Sequence, residues 1–312
     1  MPAIDLLVVG DINPDVLMTV GELDDAFGQR EQIVDQGLLV LGGSASITAV
    51  AAARLGAKVA LAGCVGDDWI GRALVAELTA IGVECRVRVV PDVPTSLTVV
   101  VQRGRDRAIL TTQASLGHLD CSVVPDDLLR DCRHVHVGGY FLLPGLWDGL
   151  PELFGQARAA GATTSIDPNW DPSEQWRGNL AKTLPVTDVF LPNLAEARLI
   201  SGQEEPQAAA RELASHGGTV AVKLGPDGAL ACRGSVIEQV SALTSTPVDS
   251  TGAGDNFNAG FLAGTLQGYS LRESLGLAAA CGSLSTQGHG GTGASIELAD
   301  ALAAASKLSY RA

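Results

Sequence analysis

The feature that most limits the fold of this 312-residue chain is an alternation of short apolar runs with helical segments. Ile4-Asp5-Leu6-Leu7-Val8-Val9-Gly10 is an apolar run closed by glycine, the pattern of a buried strand. Asp11-Ile12-Asn13-Pro14-Asp15 follows as a loop past the strand's C-terminal end, the edge where open α/β sheets bind ligands. Gly42-Gly43-Ser44-Ala45-Ser46 opens a small-residue helix that runs to Leu55 and stops at Gly56. Lys58 to Gly63 reads as a strand and Trp69 to Ile81 as a helix, with Gly82 after it. This order implies a mainly parallel sheet with right-handed crossovers. Strands near 134–138, 163–166, 188–191 and 219–224 continue the rhythm, with helices near 147–160, 194–201 and 205–216. A hairpin of about 228–233 with 236–241 follows, then helices near 253–268, 270–286 and 297–305. No internal repeat or low-complexity linker divides the chain, so one domain over 1–312 is expected.

Two stretches break the alternation. Residues 16–40 hold two short strands, near 16–20 and 33–40, around a polar turn at 21–31. In 85–112, Arg86–Val90, Leu97–Gln102 and Arg107–Thr111 are strand-like runs, with turns at Pro91–Pro94 and Gly104–Asp106. Consecutive strands without helices suggest an antiparallel meander. The segments at about 15–40 and 85–112 are therefore expected to form a small sheet, a lid over the ligand edge.

Composition narrows the partners. Hydrophobic residues make up 46%, which excludes a disordered chain. A net charge of −14 repels nucleic acid and anionic membranes. No run reaches the roughly 18 uninterrupted apolar residues of a membrane span. The six cysteines form no C-x-x-C pair and the chain has no leader-like start, so reduced thiols in a cytoplasm are expected.

The chemistry concentrates in Asp249-Ser250-Thr251-Gly252-Ala253-Gly254-Asp255-Asn256-Phe257-Asn258-Ala259-Gly260-Phe261. Gly252 and Gly254 let the backbone turn tightly and approach a ligand. The helix then starting at Ala253 presents unpaired first-turn N–H groups at its positive end, which accept phosphate oxygens. Asp255 would stand beside that anion site, placed to take a proton from an attacking hydroxyl. The plain alternative is that Asp255 only caps the helix.

This run resembles the C-terminal signature of the PfkB (ribokinase-like) family of carbohydrate and nucleoside kinases. The segment from Gly42 to Gly71 resembles the family's N-terminal signature. The resemblance implies an α/β fold, a ribokinase-like three-layer αβα architecture with a mainly parallel central sheet and a small antiparallel β lid. It implies ATP-dependent phosphorylation of a hydroxymethyl group on a small sugar or sugar derivative. Asp255 would be the general base, and the Gly252, Ala253 and Gly254 amides an anion hole. Asn193 and Glu196, in Leu191-Pro192-Asn193-Leu194-Ala195-Glu196, would act near Mg²⁺ and the phosphates, Glu196 through water. The loop carrying Lys223, Gly225 and Gly228 would lie over the nucleotide. Asp15 would bind acceptor hydroxyls beside Gly42 and Gly43, with Asn169 on the same side. Asp249 and Thr251, with a loop around Gly290 to Ser295, match the place where many relatives hold K⁺. Many relatives dimerise through the lid, so a homodimer is expected.

Plainer readings stand beside these. Asn193 and Glu196 suit a capping box. Gly225 to Gly228 suits a hairpin turn with Lys223 exposed, and Asp15 a turn. The chain also departs from the family. Trp170 and Asp171 follow Asn169 where fructokinase-type and ketodeoxygluconate-kinase-type relatives carry an Arg. Ile47 stands where ribokinase-type chains have an Asn that contacts the sugar, and its side chain neither donates nor accepts. A nucleoside kinase is therefore the rival on substrate, and a non-catalytic sugar or nucleotide sensor the rival from another class. Gly288-x-Gly290-x-x-Gly293 follows a helix, against the strand–turn–helix context of a dinucleotide fingerprint. His134 and His136 share a strand face and are expected to be satisfied core histidines.

Overall fold

A computed structural model describes residues 2–20, 29, 31–103, 106–244 and 246–311. Most of the expected 21–31 turn, and Gly104 and Arg105 of the second turn, lie outside the described residues. The first half contains β1 (Ile4–Val9), β2 (Asn13–Thr19), β3 (Gln36–Gly42), α1 (Ser44–Arg54), β4 (Val59–Gly66), α2 (Trp69–Ile81), β5 (Glu84–Val90), β6 (Thr98–Arg103) and β7 (Asp106–Thr111). Next come α3 (Asp126–Arg130), β8 (Cys132–Val137), α4 (Leu150–Ala159), β9 (Thr163–Ile166), α5 (Leu180–Thr183), β10 (Val189–Phe190), α6 (Leu194–Ser201), α7 (Pro206–Ala214) and β11 (Thr219–Lys223). The hairpin β12 (Ala229–Arg233) and β13 (Val236–Val240) leads to α8 (Ala253–Leu266), α9 (Leu271–Ser285), α10 (Leu298–Ala305) and β14 (Tyr310–Arg311).

Ten strands form one sheet in the order β14-β13-β12-β11-β10-β9-β8-β1-β4-β5. Every pairing from β11 to β5 is parallel, and β12 to β14 extend the sheet antiparallel. Alternate side chains of a strand face opposite sides. Leu6 and Val8 therefore belong to the core shared with α1, α2, α8, α9 and α10, and Leu7 and Val9 to the core shared with α3, α4 and α7. Burial on both faces explains why β1 reads as a nearly continuous apolar run.

Helix ends follow local chemistry. Asp68 caps α2 through Gly71 N–H at 2.8 Å, and left-handed Gly82 ends it. At the end of α1, Gly56 N–H reaches Ala53 O and Ala57 N–H reaches Ala52 O, a Schellman arrangement that needs Gly56's φ of 90°.

The second sheet has the order β3-β2-β6-β7. Two antiparallel pairs, β2 with β3 and β6 with β7, are joined by a parallel β2–β6 seam. The structure corrects the expected lid boundary: Glu84–Val90 does not join this sheet but pairs in parallel with β4 as the large sheet's edge. Alternation along Glu84-Cys85-Arg86-Val87-Arg88 suits any half-exposed strand and says nothing of its partner. Strand β2 also starts earlier than expected, which places Asp15 inside the small sheet rather than in a loop. Gly288 to Gly293 follows α9 and enters turns, so the dinucleotide fingerprint has neither its strand nor its helix.

Candidate active site

The N-termini of α1 and α8 meet above the C-terminal ends of β1, β9 and β11. Gly252 is the N-cap of α8, with φ 71°, and Asp255 lies in the first turn. Among the described residues its side chain accepts no helix N–H; Oδ1 instead accepts a 2.6 Å hydrogen bond from Ser44 Oγ. Ala253 N–H closes a 3.3 Å turn onto Ser250 O. Among the described residues the amides of Gly252, Gly254 and Asp255 have no acceptor, as the first turn of a helix requires. Burial pushes the Asp255 carboxyl well above its ordinary range, reinforced by the Asp167 and Asp11 charges and opposed by Ser44 and Lys223.

Lys223 is not the exposed lysine of the plain turn reading. Its ammonium donates to Asp167 Oδ2 at 2.8 Å and to Asn258 Oδ1 at 3.3 Å, and its side chain is 13% exposed. Asn258 Nδ2 donates to the same Asp167 oxygen. A Cβ added to Gly254 would lie 3.5 Å from Lys223 Nζ, so the ammonium runs alongside the first turn of α8. Burial favours the neutral form of each partner, but the Asp167 and Glu196 charges and the hydrogen bond to Asp167 still hold Lys223 above its ordinary pKa, and Lys223 in turn holds Asp167 below its own.

Asp15 lies where it was expected, against the double glycine. A Cβ on Gly42 would meet Asp15 Oδ1 at 2.0 Å, and one on Gly43 would meet Asp11 O at 2.7 Å. Asp15 is 5% exposed; burial, with the charges of Asp11 and Asp249, pushes its carboxyl up to about 7. Asn169 follows Asp167, with φ 56° and its N–H on Asp167 Oδ1 at 3.0 Å. Asn193 and Glu196 form a complete capping box on α6, so the local reading of the pair holds. Glu196 also senses the Asp167 charge and, with burial, is pushed up to about 7. Gly225, with φ 60°, and Gly228, with φ 94°, form the turn after β11, and Gly228 is held against Val240 O.

Asp249 accepts Thr251 N–H and Gly290 N–H, each at 2.8 Å, and so joins the loop before α8 to the loop after α9. Ile47 is spent on the same junction. It is 3% exposed; a Cβ on Gly291 would strike it, and one on Gly252 would crowd it at 3.1 Å. The departure at Ile47 therefore supports the anion-site turn from below.

The sequence matches the pfkB family carbohydrate kinase profile over residues 3–298. The chain belongs to the pfkB family of carbohydrate kinases. It is 32% identical over 224 residues to an uncharacterized sugar kinase of Archaeoglobus fulgidus, covering 70% of this chain and 88% of that protein. It is 29% identical over 265 residues to 2-dehydro-3-deoxygluconokinase of Bacillus subtilis, covering 80% and 82%. An Escherichia coli protein provisionally named ribokinase II, solved in complex with ATP and Mg²⁺, superposes with a TM-score of 0.85 at 26% identity, covering 97% of this chain and 99% of that one.

In this pfkB kinase, four residues that sequence reasoning did not assign to the site lie within it. Asp11 is 4% exposed and holds the N–H groups of Ser44 at 3.0 Å and Ala45 at 2.8 Å, so a carboxylate already occupies the N-terminus of α1. Asp167, Asn258 and Ser44 join Lys223 and Asp255. Asp11 and Asp167 each follow a strand's C-terminal end, the one local signal available. The histidines are only half as expected. His134 is satisfied by Thr163 and Ser165, whereas His136 bonds Ser165 through Nδ1 and leaves Nε2 buried without a partner among the described residues.

Proposed function

We propose that this sugar kinase transfers the γ-phosphoryl group of ATP to a hydroxymethyl group of a small sugar or sugar derivative. The observation that carries this reading is the Asp255 carboxylate, held by Ser44 and set beside the open amides of the α8 first turn. The acceptor hydroxyl oxygen attacks phosphorus, its proton passes to Asp255, and ADP leaves with the electrons of the broken P–O bond. The amides of Gly252 and Gly254 stabilise charge on the transferred group, while Ala253, whose N–H turns back to Ser250, shapes that turn. Asp15, Gly42, Gly43 and Asn169 bind the acceptor. Lys223, Gly225, Gly228 and Asn193 lie on the nucleotide side.

Mg²⁺, when bound with ATP, neutralises phosphate charge and keeps several waters. Glu196 suits an indirect contact, because Asn193 already engages both its oxygens, one through its backbone N–H and one through its side-chain amide, and a nearby cation would favour its charged form. Among the described residues no group of three or more His, Cys, Asp or Glu could hold a metal. Asp249 supports a K⁺ site with Thr251. It is 7% exposed, takes two amides, and has no ion-pair partner among the described residues.

The small sheet acts as the lid that excludes water. Leu39, Val16, Val99 and Leu110 lie in one register row across it, with Leu39 56% and Leu110 63% exposed. That apolar row is the observation that favours a homodimer through the lid. The testing experiment measures ADP release with pentoses, hexoses, keto-acids and nucleosides as acceptors. Acceptor-dependent ADP from a sugar supports the reading, and from nucleosides alone moves the substrate class. Saturable ligand binding with no ADP from any acceptor makes the chain a sensor.

A further inference from the structure

We infer that Ser44 is the positioning residue for the Asp255 carboxylate, fixing Oδ1 so that Oδ2 is the oxygen turned to the acceptor hydroxyl. This rests on the reading of Asp255 as the base.

The geometry is built from both sides. Ser44 is the first residue of α1, and its backbone is held in place: its N–H is on Asp11 Oδ2, Ala45 N–H is on Asp11 Oδ1, and Ser46 Oγ donates to Asp11 O. Gly43 before it has φ 86° and no room for a side chain against Asp11 O. Asp255 is held by α8, which packs on α1 and receives Thr48 Oγ1 on its backbone carbonyl at 3.4 Å. The Ser44–Asp255 bond thus joins two anchored helix starts that are 211 residues apart in sequence. Both side chains are half-buried rather than sealed, so the bond borders open space.

An aspartate carboxyl rotates in a broad, roughly two-fold well. A single hydrogen bond to Oδ1 selects one orientation. Among the described residues Oδ2 has no donor, which leaves it for an incoming hydroxyl.

The charges around Asp255 explain why a donor is needed there. Asp11 faces it from the β1–β2 loop, Asp167 from the end of β9 and Lys223 from the end of β11. Two of the three are carboxylates, and the ammonium is bonded to Asp167 and Asn258. Ser44 is the neutral donor that favours the ionised carboxylate directly. Without it, burial and the like charges act with less opposition.

The test compares wild type, Ser44→Ala and Ser44→Thr in the pH profile of kcat/KM, using ATP and the acceptor found by ADP release. A base must be deprotonated, so activity falls on the acid side of its pKa. Loss of a hydrogen bond to a charged group moves the acid limb of Ser44→Ala up by about one pH unit. Activity at the foot of that limb drops about tenfold, and far less above it. Ser44→Thr keeps the hydroxyl and restores the wild-type limb. If Ser44→Ala does not fold, Ser44→Cys, a weak donor of similar size, replaces it with the same expectation. A uniform loss at every pH with an unmoved limb overturns the inference. Loss of turnover in Asp255→Asn with an unmoved limb in Ser44→Ala removes only the positioning role. Near wild-type turnover in Asp255→Asn removes the base itself, and this inference with it.

Discussion

Replacing Lys223 by Met tests the electrostatic frame of the site. The substitution roughly conserves side-chain length and removes the ammonium that bonds Asp167 and Asn258. The pair is well covered, with side chains 13% and 6% exposed, so surface screening weakens it little. Removing one partner of a buried pair costs about 3–5 kcal/mol, because the remaining charge stays buried and uncompensated. The orphan here is Asp167, and Asp255 and Glu196 lose their counter-charge with it. Relaxation and water entry offset part of that penalty, so a loss of about 3 kcal/mol is expected. Urea unfolding at pH 8 reads it as a lower midpoint at unchanged slope.

The pH dependence gives the sign. Asp167 in the wild type lies below its ordinary value of 3.8. Its contribution to stability is therefore complete above 3.8 and is lost as pH falls through the lowered value. In Lys223→Met the Asp167 pKa rises instead, so the gap to wild type narrows as pH is lowered from 8 toward 5. A midpoint equal to wild type at pH 8, or a gap that widens on acidification, would refute the reasoning.

Three further outcomes follow from the same geometry. Gly252→Ala places a Cβ 2.4 Å from Gly291 Cα at φ 71°, so it should cost about 1–3 kcal/mol in thermal unfolding and most of the turnover; unchanged melting and rate would contradict the close approach. Asp15, pushed up to about 7, favours the folded state more as pH falls from 7 to 4, because the folded chain then binds the extra proton. Asp15→Asn should therefore raise stability at pH 8 by on the order of 2 kcal/mol while raising the acceptor KM, and a lower melting temperature at that pH would count against it. Exchanging K⁺ for tetramethylammonium should lower wild-type turnover several-fold and leave Asp249→Asn unaffected, whereas equal wild-type rates in both salts would remove the cation reading.

Local chemistry made much of this fold readable. Helix α6 runs from Leu194 to Ser201 as expected because Asn193 and Glu196 cap it and Gly202 turns out of it. Helix α2 runs from Trp69 to Ile81 for the same reason, with Asp68 and Gly82 at its ends. What failed was partner choice. Residues 84–90 alternate as any half-exposed strand does, and only tertiary packing places them beside β4. The turn around Asp255 was legible because its glycines and carboxylate lie within a few residues. The residues that tune Asp255 were not: Ser44 is 211 positions away, and Lys223 reaches Asp167 across 56. Contacts at such separations leave no periodicity or spacing, and Asp11's hold on α1 spans 33 positions with no cap-box pattern to betray it.

The central claim is that one carboxylate takes the acceptor's proton. Single-turnover phosphoryl transfer by Asp255→Asn, compared with wild type at pH 8 after both are shown to melt alike, tests it most directly. A fall of about a hundredfold or more, with ATP still bound, is predicted for loss of a general base. Transfer within a few-fold of wild type would contradict the claim.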